Sequence, residues 1–467
     1  MSNVALVIMV TLLLLTLLAI RMPVAFALGL SGGVGLLLLR DFSFVTNMMG
    51  SIPFDQTSKF TLTIIPMFIL MGMFAVKARI AEQVYAVAAH IFRKLPGGLG
   101  VATVMACAGF AAVSGSSIGT AATMSRLSVG EMRKHGYPTS LATASVAVAG
   151  TLGVLIPPSV ILVLYAIMTG ESVAKVLAAG IIPGIISAIA YAVYMIFAAR
   201  NVSKPKAADL QAAIAEAAKD ASGGARSGLD APKVGADGKP AKVRLRDLPM
   251  RGVVRVAILF FIVLGGMYSG LFTPTESAAI GALAAAVMLV IEMFRDGWRA
   301  MLKAIVEALK ETAGTTSMVF AIIVGSTLLS VFFVAARVPQ MLTAAVVDAG
   351  WNRYVTIALL LATLIPLGMA LESISILVIT VPLLYPVATT LGFDGIWLAI
   401  LIVKLIEIGM VTPPVGINCF VVAGTSGVKV ATIFKGVLPF VLIDLGLTAL
   451  LFAVPALSLW LPSLIQF

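Results

Sequence analysis

Apolar stretches of about 20 residues, each long enough to cross the hydrocarbon of a bilayer as a helix, recur from one end of this chain to the other. Val4–Ile20, Pro23–Leu39, Val176–Ala198, Ala278–Phe294, Thr315–Val334 and Val437–Leu461 are among them. A single soluble core has no room for so many: of 467 residues, 60% are hydrophobic and only 11% charged. The chain is therefore expected to be an all-α polytopic membrane protein, because a helix satisfies its own backbone groups in lipid. The first stretch has no Lys or Arg ahead of it and no small-residue cleavage site behind it, so it is read as a retained helix. Cys107 and Cys419 stand far apart in apolar surroundings and suggest neither a disulfide framework nor a metal cluster.

The formal charge of +11 does not point to nucleic acid, because the basic residues sit at the ends of apolar spans. Arg21, the group Lys77, Arg79, Arg93 and Lys94, the group Arg126, Arg133 and Lys134, the segment Arg200 to Arg255, and Arg295, Arg299, Lys303 and Lys310 can all be cytoplasmic together. Both termini then lie outside. Residues 201–250, rich in Ala, Lys, Asp, Gly and Pro, form the only long polar region and read as a cytoplasmic linker.

The linker separates two related halves. At one constant offset, Gly153, Pro157, Pro158, Thr169, Gly180 and Pro183 fall on Gly409, Pro413, Pro414, Thr425, Gly436 and Pro439. A slightly larger offset brings Phe74, Val76–Ala78 and Arg79 onto Phe332, Val334–Ala336 and Arg337. Shared Gly and Pro positions are hard to obtain by chance, and such internal symmetry is a habit of secondary transporters. The flanks of the first copy are strongly basic and those of the second nearly balanced, which predicts opposite orientations in the membrane. Residues 1–200 are expected to hold scaffold helices and the first repeat, with a re-entrant hairpin at about 108–126 and a broken helix at about 140–168. Residues 251–467 repeat the plan, with a hairpin at about 366–388 and a broken helix at about 396–424.

The breaks are "GTLGVLIPPSVIL" (Gly150–Leu162) and "GMVTPPVGINCF" (Gly409–Phe420). Proline removes a donor and frees the carbonyl one turn earlier. Irregular backbone at membrane depth survives only where it is buried in protein or lines a polar cavity, and free carbonyl oxygens suit a dehydrated monovalent cation. Ahead of each break lies a second weak point, "VSGSSIGTAATMS" (Val113–Ser125) and "ALESISILVITVP" (Ala370–Pro382). Each reads as a hairpin tip whose hydroxyls and half-helix N-terminus favour an anionic group. Small residues also serve close helix packing; their pairing with a Pro-Pro break in both halves favours a binding site.

Carboxylates at membrane depth are costly and are normally paired or functional. Glu276, Glu372, Glu407 and Asp444 are the candidates. Lys404 and Glu407, three apart on one helix face, are expected to pair. Glu276 is read as a helix-start cap, and Asp444 has no visible partner.

The segments "GLFTPTESAAIGA", "KLIEIGMVTPPVGINCFV" and "AGTLGVLIPPSVILVLYAIMTGESVAKVLAAGIIPG" closely resemble signatures of the large membrane subunit of tripartite ATP-independent periplasmic (TRAP) transporters, the DctM-like family. Outside the linker, which looks longer than usual for the family, the likeness runs along the whole chain. It implies an inverted-repeat, elevator-type transporter with two re-entrant hairpins, in the bacterial inner membrane. The coupling ions would be sodium, with no other cofactor. The cargo would be an organic acid anion delivered by a periplasmic binding protein, and the partner a small four-helix membrane subunit, which is not fused here. The resemblance implies a first sodium site at Ser114, Ser116 and Ser117 with Gly153, Ile156 and Pro158. A second would use Glu372, Ser373 and Ser375 with Gly409, Thr412 and Pro414. The anionic substrate is expected at the same tips, Ser114, Gly115, Ser116, Ser117, Glu372, Ser373 and Ser375, with Asn418.

A stand-alone ion-coupled organic-anion carrier shares the inverted hairpins and needs no partner, but the FTPTE and TPPVGIN segments favour the tripartite system. An intramembrane hydrolase is the rival of a different class. No HExxH or GxxxxGK[ST] occurs, and His90 and His135 lie beside basic loops as boundary residues. A passive channel does not explain paired inverted hairpins.

Overall fold

The computed structural model describes residues 3–20, 22–200, 202, 250–341, 344, 350 and 352–465. The 201–250 linker falls almost wholly outside them. Three helices open the chain, α1 (Asn3–Ala19), α2 (Val24–Leu39) and α3 (Phe42–Thr57). A 3₁₀ turn, Phe60–Thr63, then leads into α4 (Ile64–Lys77). The short amphipathic α5 (Ile80–Phe92) precedes a hairpin of α6 (Gly98–Ser114) and α7 (Ser117–Lys134). A broken helix follows as α8 (Thr139–Gly150), α9 (Leu152–Leu155) and α10 (Val160–Thr169), and α11 (Val173–Ala198) closes the half.

The second half opens with α12 (Met250–Phe260), a π turn at Phe261–Gly265 and the short α13 (Gly266–Tyr268). Then come α14 (Pro274–Met293) and the 38-residue α15 (Trp298–Ala335). The second hairpin is α16 (Arg353–Ala362) and α17 (Leu364–Ala370) against α18 (Ser373–Thr390). Its broken helix is α19 (Gly395–Val411) and α20 (Ile417–Ser426), followed by α21 (Val430–Ala453) and α22 (Ala456–Ser463). Among the described residues, nine helical stretches are long and apolar enough to cross a membrane.

Two spans differ from expectation. The Thr315–Val334 span is the second part of α15, which starts at Trp298 because the stretch ahead of it contains no proline to end the helix. Val437–Leu461 is divided between α21 and α22 because Pro455 follows the non-helical Val454.

Lipid is as apolar as leucine, so helices in a membrane associate through close packing, and small residues permit it. Against α15, α2 presents a glycine stripe. A Cβ on Gly32 would lie 2.5 Å from the Leu329 nitrogen, one on Gly35 2.7 Å from the Phe332 ring, and one on Gly325 2.2 Å from the Ala25 carbonyl. On the opposite flank, α14 begins with a capping box: the Thr273 N–H donates to Glu276 Oε2 at 2.8 Å, and the Glu276 N–H donates to Thr273 Oγ1 at 3.3 Å. That is the cap role read for Glu276. Ion pairs join α4 and α5 to the second half: Lys77 with Glu307 and Glu311 at 3.0 Å each, and Arg79 with Asp296 at 2.9 Å.

The repeat is visible in the backbone. Among the described residues, only Arg79 (φ 56°) and Arg337 (φ 62°) are non-glycine residues with positive φ, and the offset that aligned the halves pairs them. The Pro157–Pro158 and Pro413–Pro414 bonds are both cis. Gly180 and Gly436 are also equivalent. A Cβ on either would come within 2.2–2.3 Å of a carbonyl, that of Leu155 or Ser140.

Candidate functional site

The first hairpin turns at Gly115, whose φ of 59° is open to a residue without a Cβ. Beyond it, Ser116 leaves the helical region and caps α7, its Oγ accepting from the Gly119 N–H at 3.2 Å. Ser114 and Thr120 join hydroxyl to hydroxyl across the tip at 2.7 Å. The tip rests on the broken helix through glycine. A Cβ on Gly153 would stand 2.6 Å from the Ser116 carbonyl oxygen, and one on Gly115 2.9 Å from that of Pro158. Ser116, Gly153, Gly115 and Pro158 thus meet as backbone, with the Ser114 and Thr120 hydroxyls beside them. Ile156 has an extended backbone, and its side chain turns toward Gly184 of α11. Its N–H donates to the Leu152 carbonyl at 2.9 Å. Pro157 and Pro158 are both buried.

At the second tip, Glu372 occupies the N-cap of α18 with φ −75° and ψ 157°, and its Oε1 accepts from Ser375 Oγ at 3.3 Å. Ser373 does not join Glu372; its hydroxyl donates to Glu407 Oε1 on α19 at 2.8 Å. Gly409 packs on the other arm of the hairpin: a Cβ there would lie 2.5 Å from Gly368 Cα and 2.6 Å from the Ile365 carbonyl oxygen. Thr412 is extended and donates its hydroxyl to the Ile408 carbonyl at 2.6 Å. Pro413 and Pro414 are exposed, unlike their first-half equivalents. Asn418 is fully buried in α20, which packs against α7 and α8 of the first half. Neither atom of its amide has a hydrogen-bond partner among the described residues.

The expected Lys404–Glu407 pair does not form. Lys404 Nζ pairs instead with Asp444 Oδ1 of α21, and also donates to Ser187 Oγ at 3.0 Å and Tyr191 O–H at 3.4 Å. Tyr191 donates to the same Asp444 oxygen at 2.5 Å. Lys404 and Asp444 are 3% and 2% exposed, so their mutual neutralisation is what allows either charge at this depth. Asp444 thereby gains the partner that sequence spacing did not reveal. Depth in an apolar span signalled that both charges needed a partner; which helix supplied it was a matter of tertiary packing.

Glu407 is left for the hairpins. Its carboxylate accepts from Ser373, the first residue of α18, and is approached by Ser117, the first residue of α7. It is 4% exposed, and Oε2 has no hydrogen-bond partner among the described residues. The N-terminus of α18 thus bonds this carboxylate directly, and the first residue of α7 lies near it. Sequence spacing leaves Glu407 open between ion pairing and direct ligation and does not place it in the candidate site; its Oε2 and the Asn418 amide are the buried polar atoms still unmatched there.

All of these groups are oxygen donors from carbonyls, hydroxyls and carboxylates, the set suited to a hard cation. Over residues 11–457 the chain matches the profile described as "Tripartite ATP-independent periplasmic transporter, DctM component". The chain belongs to this family. It is 32% identical over 439 residues, 94% of each chain, to the C4-dicarboxylate TRAP transporter large permease protein DctM of Pseudomonas aeruginosa. It is 29% identical to the sialic acid TRAP transporter large permease protein SiaM of Vibrio cholerae, covering 95% of each. In fold it is similar to the YdaH transporter of Alcanivorax borkumensis, with a TM-score of 0.59 over 90% of each chain at 14% identity. These relatives are transporters, and this DctM-family chain is a multi-pass protein of the inner membrane.

Proposed function

We propose that this chain is the large membrane subunit of a sodium-coupled secondary transporter that imports an organic acid anion. The anion is handed over by a periplasmic binding protein, and a small four-helix membrane subunit completes the complex. The observation that carries this reading is the meeting of each hairpin with a Pro-Pro-broken helix by glycine contact, Gly153 under Ser116 and Gly409 against Gly368. Such contacts bring backbone carbonyls at the breaks beside hydroxyls at the hairpin tips, and a set of carbonyl and hydroxyl oxygens suits a dehydrated monovalent cation. At the first site Ser114, Ser116, Gly153 and Pro158 would hold sodium, with Ser117 and Ile156 flanking; at the second, Glu372, Ser373, Ser375, Gly409, Thr412 and Pro414. The two half-helix N-termini supply the positive ends that an anionic group needs, and Asn418 offers an amide to it.

The same plan supports an elevator mechanism. Helices α2, α4, α14 and α15 pack as a scaffold, while both hairpins and both broken helices pack on one another as a unit able to carry the site across. The relatives' names include C4-dicarboxylate and sialic acid, organic acids of different size, which supports an organic acid as the cargo class without naming the individual acid.

The test is uptake in proteoliposomes. The chain with its small subunit and a loaded binding protein should accumulate labelled organic acid only under an inward sodium gradient. Equal accumulation under a potassium gradient would defeat sodium coupling. Robust uptake by the chain alone would favour a stand-alone carrier.

A further inference from the structure

We infer that a cavity between the scaffold and the hairpin unit is an entry site where the organic acid is held by Lys59 before it reaches the hairpin tips. This inference rests on the proposed cargo class. The cavity has a volume of about 300 Å³ and is walled on one side by α3, the turn after it and α15, and on the other by α10 and α18. It is therefore shared between one broken helix, one hairpin arm and the scaffold, rather than lying inside any of them.

Its lining has the make-up of a small-anion site: apolar walls with a few polar groups that fix orientation. Leu164 and Val381 represent the walls. Lys59 is the one ionisable cation among the described lining residues, and none of those residues is acidic. Its ammonium donates to Gln56 Oε1 at 2.9 Å, a neutral partner, so its charge is not cancelled by a carboxylate there. The Gln56 amide and the Ser330 hydroxyl on α15 line the same space and give a carboxylate further donors. Tyr385, also in the lining, is engaged elsewhere, donating to Glu171 Oε1 at 2.8 Å. One cation with hydrocarbon walls fits one carboxylate and an aliphatic body. Such a site attracts organic acids as a class and selects weakly among them. The walls belong to two units that the elevator reading moves against each other, so the movement would take this site apart and release the acid inward.

The experiment reads local charge with thiol reagents, independently of transport. The Ser330→Cys protein, in nanodiscs with both faces accessible, is labelled in turn with anionic 2-sulfonatoethyl methanethiosulfonate and cationic 2-(trimethylammonium)ethyl methanethiosulfonate. Cys107 and Cys419 are both fully buried and serve as the unreactive background, measured in the parent protein. The ratio of the two rates, divided by the same ratio for a free thiol such as 2-mercaptoethanol, is used because the reagents differ in intrinsic reactivity and because a nearby ammonium also raises thiolate content, which affects both reagents alike. The normalised ratio should favour the anionic reagent about tenfold, as expected for a unit charge about 6 Å away in water. Lys59→Gln should bring the ratio close to one, and Lys59→Arg should keep it. Sodium succinate, a sufficient probe for a weakly selective site, should slow labelling at millimolar levels where equal sodium chloride does not, and Lys59→Gln should abolish that protection. Should Ser330→Cys fail to fold, Thr169→Cys on the facing wall reports on the same space. A ratio near one with Lys59 present, a preference that survives Lys59→Gln, or no protection by succinate would overturn the inference. Charge preference without sodium-driven uptake would instead defeat the proposed function and leave the cavity standing.

Discussion

The two Pro-Pro breaks follow the same backbone path in different surroundings. Around Pro157–Pro158 the broken helix is buried and carries no charge: the tip contributes Ser114, Thr120 and the exposed Ser116, and the position equivalent to Glu407 is Thr151, whose hydroxyl donates to its own helix at Val148. At the second break Pro413, Pro414 and Val415 are exposed, and two carboxylates, Glu372 and Glu407, stand at the tip and on the helix behind it. Lys404 with Asp444 adds a buried ion pair to the second half, where the first has Val148 at the Lys404 position. Symmetry of backbone was retained while charge was placed on one side only. A cation bound in the first half would be held by neutral oxygens, and one in the second half could be held by a net negative charge.

The largest expected effect comes from the feature with no counterpart. Lys404→Met strands Asp444 beside Tyr191 in a nearly dry interior, and removing one member of a buried pair costs about 3–5 kcal/mol. Thermal unfolding in detergent should show this as a large fall in Tm, and the double change Lys404→Met with Asp444→Leu should recover most of it. A double variant no more stable than the single would mean that the pair is held by something other than mutual neutralisation. In the first half, Val148→Ala should cost less, at the scale of a modest core truncation, about 1.5–2.5 kcal/mol.

Next come the glycines that seat the hairpins. A methyl on Gly153 or Gly409 meets backbone at about 2.6 Å in both halves, and backbone cannot move aside as a flexible side chain can. Gly153→Ala and Gly409→Ala should each cost about 1–3 kcal/mol of overpacking and reduce uptake on the order of a hundredfold, since displaced carbonyls spoil the site geometry. Equal losses would support equivalent seating of the two hairpins. If one variant transports normally, that hairpin does not rest on its broken helix in the working protein.

Much of this was legible beforehand, for physical reasons that differ by element. Spans, breaks and the repeat could be read because Gly and Pro act on the backbone locally, and the Thr273–Glu276 cap could be read because both partners lie within one turn. Lys404 was different: spacing offered Glu407, three residues away, but the partner is Asp444, on another helix. A buried charge announces that it needs a partner and says nothing of where the partner is. Glu407 stayed open between ion pairing and ligation for the same reason: only the packing shows it free of Lys404 and bonded to Ser373 at the second tip. The cavity beside Lys59 could not be read at all, because its walls come from four separated segments.

Charge at the second break gives a smaller effect. Glu407→Gln keeps an oxygen to accept from Ser373 and removes the negative charge. If the second half holds its cation with that charge, the sodium concentration for half-maximal uptake should rise roughly tenfold, the equivalent of about 1.4 kcal/mol. Thr151→Ala, at the equivalent first-half position, should leave sodium dependence unchanged, because that hydroxyl is occupied with Val148. An unchanged sodium requirement in Glu407→Gln would remove charge from the comparison, leaving the two sites as equals.

The smallest effect distinguishes hydroxyl from carbonyl ligation. Thr412 donates its proton to Ile408 at 2.6 Å and Ser116 accepts from Gly119 at 3.2 Å, so each hydroxyl already has a structural task and offers a cation only a remaining lone pair. Thr412→Val preserves shape and removes that oxygen; Ser116→Ala removes both oxygen and cap. Losing the cap costs about 1 kcal/mol of stability, so Ser116→Ala should lower Tm a little while Thr412→Val should barely change it. If the oxygens also ligate, sodium half-saturation should rise about threefold to tenfold in each. That is less than a full unsatisfied-partner penalty, because the carbonyls of both breaks remain in place. A rise confined to Thr412→Val would mean that the exposed second break binds sodium through its side chain and the buried first break through backbone alone. A rise in neither variant would leave carbonyls as the only ligands. Pro158→Ala and Pro414→Ala would then be the deciding pair, since restoring an N–H lets the helix recapture the carbonyls that each break sets free.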